Sequence, residues 1–203
     1  MGCFYKSYKI HSINHPYGKE CAKVYSNQIN EKYKHQLEEL TQLQFSTILF
    51  DSEIDKWLQY DSTFTKIIKQ RSKIIFYIED TEGEIFGYYL HTLISNETNL
   101  LHSVNKKSFQ FNLYSANNHL SQPMKFEMKD IKQGGYILYD QSSEWLIKLG
   151  EIWLLKKSFP MKPSHCYQNN SFFNYHQIPN ALCNKNGKDK CFIIKRILVI
   201  QMK

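Results

Sequence analysis

The chain has 203 residues, 42% of them hydrophobic, with only 8 Gly and 5 Pro, which excludes a low-complexity chain. A globule of this length buries roughly 70% of the surface of its unfolded chain, so it can build a core without a metal or a disulfide. The net charge of +7 is uneven: residues 1–100 carry 11 basic and 13 acidic side chains (net −2), and residues 101–203 carry 15 and 6 (net +9).

Residues 1–30 read as an N-terminal arm, without a clear period and interrupted by Pro16 and Gly18, and residues 31–203 read as one domain. Tyr33, Leu37, Leu40 and Leu43 recur at helical spacing opposite Lys, Glu and Gln, which predicts an amphipathic helix over Asn30–Gln44. Ser46–Phe50 reads as a short strand. Asp61 or Ser62 can cap a second helix, because a short side-chain oxygen accepts the free N–H groups of a first turn. Its expected buried stripe is Phe64, Ile67, Ile68 and the aliphatic stem of Arg71.

Lys73–Glu79, KIIFYIE, is a nearly continuous apolar run and suits a central strand covered on both faces. A turn at Asp80–Gly83, with Gly83 free to take positive φ, returns the chain as Glu84–Ile94. Gly87, next to Phe86 in that strand, marks a bulge or a close approach by another backbone. Further strands are expected at Ser108–Tyr114, Met124–Lys129, Tyr136–Tyr139 and Glu151–Leu155, each short and bounded by Asn, Ser, Pro or Gly. Lys156–Lys190 shows no clear period. The chain closes with CFIIKRILVIQMK, expected to be one long strand buried on both faces. Phe192, Ile194, Leu198 and Ile200 would share one face, and Ile193, Ile197 and Val199 the other, with Lys195-Arg196 as a bulge or a strand end. Short strands in hairpins with two early helices predict an α+β domain or β-sandwich.

The 5 cysteines, at positions 3, 21, 166, 183 and 191, are an odd and scattered set, unlike the dense framework of a small secreted domain. Met1–Pro16 lacks the apolar core of a signal peptide, and no run approaches the roughly 18 apolar residues of a membrane span. The expected location is therefore the cytoplasm. Membrane association would rest on acylation of Gly2 or Cys3, but Lys6 stands where that pattern wants Ser or Thr. The basic second half suits nucleic acid, anionic lipid or an acidic protein. Against nucleic acid, only Arg71 and Arg196 of the 26 basic residues carry the guanidinium fork that fits phosphate and guanine edges. A nucleic-acid-binding protein using the basic C-terminal half is kept as an alternative.

ILFDSEID, a helix, IIFYIEDTEGEIFGYYL, SFQFNLYSANN, PMKFEMK, GGYILYD, EIWLLKK and IIKRILVIQM follow one another in an order that resembles the TLDc domain over about residues 32–203. Asp51-Ser52 at the end of the first strand, the Phe86-Gly87 pair in the hairpin turned by Gly83, and the last strand Ile193–Met202 carry the resemblance. The chain is most similar to short stand-alone members. The resemblance implies a sandwich of two antiparallel β-sheets flanked by helices, acting as a protein-interaction module rather than an enzyme. It implies no cofactor, a protein partner among the subunits of the vacuolar proton-pumping ATPase, and a link to the oxidative-stress response.

Asp51, Glu53 and Asp55 alternate as in the first half of a calcium loop, but Lys56 and Ser62 occupy the places of its Gly and Glu, so no metal is expected. The segment is read as a solvated acidic loop, and Asp51, Ser52, Glu53 and Asp55 as partner-binding candidates. His165, Cys166, His176, Cys183 and Cys191 lack the close pairs of a zinc site. Cys166 carries the remaining alternative, a thiol-based redox enzyme or sensor, which needs a base within hydrogen-bond reach. No P-loop and no GxGxxG is present. In CYQNNSFFNYH the aromatics Phe172, Phe173 and Tyr175 are either hot spots for a partner or a plug in the sandwich.

Overall fold

A computed structural model describes residues 29–115, 122–158, 160–178, 181–183 and 191–203. The arm up to residue 28, with the Gly2 and Cys3 acylation signal, lies outside the described residues. Helix α1 (Glu31–Thr41) forms where the spacing predicts it. The Asn30 side chain accepts the Lys32 N–H at 2.9 Å, and Gln42 ends the helix with φ 57°. Strands β1 (Phe45–Asp51), β2 (Trp57–Leu58) and β3 (Asp61–Ser62) precede helix α2 (Phe64–Ile68). Then come β4 (Ile74–Asp80), β5 (Ile85–Leu90), β6 (Leu101–His102), β7 (Phe109–Tyr114), β8 (Met124–Glu127) and β9 (Tyr136–Leu138). The last strands are β10 (Trp145–Leu149), β11 (Ile152–Leu155), β12 (Ser164–Cys166), β13 (Cys191–Phe192) and β14 (Ile194–Met202).

The strands make two six-stranded sheets and a two-stranded ribbon of β2 and β3. Their order is β1-β14-β4-β5-β7-β8 in the first sheet and β13-β12-β11-β10-β9-β6 in the second. Every pair is antiparallel. Strand makes up 42% of the structure and helix 10%, so this is a β-rich sandwich with helical accessories. Among the described residues no helix is long and apolar enough to cross a membrane.

One core lies between the sheets. Phe86 of the first meets Phe192 edge-on at 5.1 Å, and Phe76, Tyr88, Leu138, Ile147, Leu149, Ile152 and Leu154 fill the same layer. A second apolar cluster lies on the outer face of the first sheet. There Tyr33, Leu37, Leu40 and Leu43 cover Ile75, Tyr77, Leu198 and Ile200. Strands β4 and β5 are accordingly buried on both sides, as their continuous apolar sequence requires. Their turn has Gly83 at φ 86°, and the Asp80 carboxylate accepts the Glu82 and Glu84 N–H groups at 2.9 Å. Gly87 has no room for a side chain: a Cβ there would strike the Phe76 carbonyl and stand 2.7 Å from the Phe111 ring.

Helix α2 is shorter than its apolar stripe predicts. Asp61-Ser62 is drawn into the β2–β3 ribbon, where Ser62 Oγ still accepts the Phe64 N–H at 3.3 Å. At the other end Gln70 takes φ 60° and its N–H donates to the Ile94 carbonyl, which leaves Arg71 exposed rather than buried.

The closing segment is two strands, not one. Cys191–Phe192 pairs in the second sheet, and Ile194–Met202 runs between β1 and β4 in the first. A register shift between Ile194 and Arg196 marks a bulge at Lys195-Arg196. One extra residue reverses the alternation, so Ile194 shares the inner face with Ile197 and Val199, while Leu198, Ile200 and Met202 face outward.

Candidate functional site

The outer face of the second sheet carries the candidate site. Strand pairing aligns Cys191, His165, Trp153, Lys148, Ile137 and Leu101 in one row across all six strands. Each is partly or well exposed, while the next row, with Cys166, Ile152, Leu149 and Tyr136, is buried. Alternation by two, with one face packed on a core, produces this division. Trp145 joins the outer face through a register shift between it and Ile147.

The aromatic rings of this face form one cluster. Trp145 meets Trp153 edge-on at 5.5 Å and lies 5.7 Å from His165. His165 stacks on Tyr167 at 6.1 Å with 7° between the rings. Lys148 Nζ stands 4.9 Å from the Trp153 ring centre. Trp145, Trp153, His165 and Tyr167 line a cleft of about 210 Å³. At its side, Cys191 Sγ lies 3.1 Å from His165 Nδ1.

Buried polar groups hold the strands beneath. Lys156 Nζ donates to the carbonyls of Asp140, Gln141 and Ser143 at 2.6, 3.1 and 2.7 Å, which fixes the loop leading into β10. Burial holds the Lys156 pKa below the ordinary lysine value. In the same loop, hydrogen bonds from Ser142, Asn99 and Ser143 lower the Asp140 pKa to about 2. Ser164 Oγ accepts the Leu155 N–H at 3.0 Å and joins β11 to β12.

The acidic loop is a structural clasp. Asp51 is 1% exposed, and its Oδ2 lies 2.6 Å from Arg196 Nη2. Glu53 Oε2 lies 3.4 Å from Arg196 Nε, and Asp55 Oδ2 accepts the Asp51 N–H at 2.8 Å. Ser52 Oγ accepts the Ile197 N–H at 2.8 Å. Asp51 and Ser52 are therefore turned inward onto the start of β14, which corrects the reading of them as a solvated docking loop. Only Glu53 of the four is well exposed.

Phe173 and Tyr175 are also inside, each at 0% exposure, with Phe172 partly buried against the same core. Tyr175 OH donates to Gln110 Oε1 at 2.6 Å, and Gln110 Nε2 donates to the Leu149 carbonyl at 3.2 Å. This buried chain ties the loop between the two sheets. The partner-binding reading of Phe173 and Tyr175 gives way to the plug, because two large aromatics fill the space between sheets. Phe86, Gly87 and Gly83 act as the hairpin geometry requires, with Phe86 and Gly87 buried and Gly83 partly exposed at the turn.

Of the five Cys and His residues weighed for zinc, His165 and Cys191 meet through their side chains, and Cys183 Sγ donates to the Cys166 carbonyl at 3.7 Å. Cys166 and Cys183 are 1% and 2% exposed in the core, and His176 sits beside the Lys125 carbonyl at 3.4 Å. Among the described residues no group of three or more His, Cys, Asp or Glu could hold a metal ion. Cys166 faces the opposite side of β12 from His165, so its thiol has neither solvent access nor that base. Three lysines of the basic half, Lys106, Lys107 and Lys125, edge with His91 a separate cleft of about 390 Å³ that Tyr89 and Phe109 also line.

Trp145, Trp153 and Tyr167 were not anticipated as site residues. The signal for them was present in WLIKLGEIWLL, where a two-residue link beginning with Gly150 at φ 57° joins two alternating strands. No family model matches the chain, and no curated protein matches it.

Proposed function

We propose that this chain is a non-enzymatic, TLDc-like protein-interaction domain whose partner docks on the outer face of the second sheet. The observation that carries the reading is the row of half-exposed aromatics on that face, beside a first sheet buried on both sides. Trp and Tyr supply large contact area at small entropy cost and dominate interface hot spots, with polar groups such as His165 and Lys148 at their rim. The two-sheet antiparallel sandwich agrees with the architecture that the TLDc resemblance implies. That resemblance makes subunits of the vacuolar proton-pumping ATPase the partner to test.

The experiment is affinity capture from a lysate of the protein's own cells, with the parent chain and the Trp153→Ser/Tyr167→Ser variant, followed by mass spectrometry and thermal melts. The parent is expected to retain vacuolar ATPase subunits and the variant to lose them, with melting temperatures within a few degrees. Equal recovery by both proteins would remove the docking face, and no recovery by the parent would remove this partner.

A further inference from the structure

Cys191 is set apart from the other described thiols by position and by company. Cys166 and Cys183 are buried in the core, whereas Cys191 is partly exposed on the edge strand of the second sheet. It is paired in register with His165, and its Sγ lies 3.1 Å from Nδ1 of that ring. The imidazole is held in place, stacked on Tyr167 and packed 5.7 Å from Trp145. An ordinary thiol has a pKa of about 8.5 and is only about 3% ionised at pH 7. A fixed imidazole within hydrogen-bond reach can take the proton and keep the sulfur ionised as an ion pair.

We propose that Cys191 and His165 form a peroxide-reactive thiol site that is oxidised once per chain by a small hydroperoxide. The thiol proton passes to His165 Nδ1. The sulfur attacks the terminal oxygen of the hydroperoxide, so that an S–O bond forms as the O–O bond breaks. The imidazolium returns its proton to the leaving oxygen. Sulfur gives up two electrons, the peroxide takes two, and the products are a sulfenic acid and an alcohol, or water from hydrogen peroxide itself. Among the described residues, Tyr167, stacked on His165, and Lys148, beside Trp153 and three strands from Cys191, are titratable groups on this face. The inference does not depend on a partner docking at the aromatic cleft.

The test exposes the full, folded chain to hydrogen peroxide with dimedone as the trap for sulfenic acid, and reads each cysteine by peptide mass spectrometry. At pH 7 Cys191 is expected to be trapped at least about tenfold faster than Cys166 and Cys183, and His165→Gln to slow it by about tenfold while the melting curve is unchanged. The parent's rate at Cys191 is expected to be nearly flat from about pH 6.5 to 8.5, where an unassisted thiol rises about tenfold or more as it ionises. The site is overturned if Cys191 reacts no faster than in the urea-unfolded chain, or if a folded His165→Gln variant reacts at the parent's rate. Should that variant not fold, the parent's pH profile decides alone, and a rate that climbs like that of an unassisted thiol ends the proposal.

Discussion

The two sheets are equal in strand number and opposite in what they do with their outer faces. The first is covered twice, by the second sheet on one side and by α1 on the other, so β4 and β5 read as unbroken apolar runs. Among the described residues the second is covered once, and β11 alternates buried Ile152 and Leu154 with partly exposed Trp153. The contrast separates a sheet with aromatic side chains buried on both faces from one that keeps several rings partly exposed. A buried aromatic is committed to the fold, whereas the rings of Trp145, Trp153 and Tyr167 remain available to something else.

Deleting Ile197–Lys203 tests the doubly covered sheet most severely. It removes most of β14 from between β1 and β4 and takes side chains from both apolar clusters. Fully buried aliphatics are worth about 1.5–3 kcal/mol each against a total stability of about 5–15 kcal/mol, so the truncated chain should show no cooperative melt. Circular dichroism during heating decides it, and a transition at the parent's temperature would mean that β14 is not central.

Phe173→Ala combined with Tyr175→Ala should cost roughly 5 kcal/mol or more in urea denaturation, as large-to-small changes in a packed core do. A loss below about 1 kcal/mol would put these rings on the surface with Trp153 and dissolve the distinction between the two faces. Gly87→Val should cost about 3 kcal/mol, because the new side chain meets the backbone of β4 rather than a yielding side-chain tip. A melt within a degree of the parent would show that the sheet relaxes around it. The smallest effect is expected on the open face, where Trp153→Ser with Tyr167→Ser should lower stability by only about 1–2 kcal/mol, since Trp153 is only partly buried and Tyr167 is 43% exposed. If this pair destabilises as much as Phe173/Tyr175, the open face is a core that has been misread.

Local pattern was enough for much of the first sheet. KIIFYIED disclosed a strand covered on both faces, Gly83 its turn, and Gly87 a close approach, because each depends on neighbours within a few residues or on the volume of one side chain. The amphipathic helix α1 was legible for the same reason. The second sheet was harder to read. β12 is three residues inside a stretch without a period, and it becomes a strand only because Trp153 and Cys191 flank His165 in the folded sheet. The acidic string at Asp51–Asp55 suggested solvent until Arg196, far along the chain, was found in front of it.

The order of residues alone disclosed composition by segment: which runs are apolar on both sides, which alternate, and where glycine must stand. Those properties follow from side-chain volume, backbone freedom and the two-residue period of a strand. Packing in three dimensions settles that Cys191–Phe192 and Ile194–Met202 belong to different sheets, that the bulge at Lys195-Arg196 reverses which residues face inward, and that Phe173 is core while Trp153 is partly exposed. Each of these outcomes turns on register between segments distant in sequence, and a slip of one residue exchanges the two faces of a strand without changing its composition.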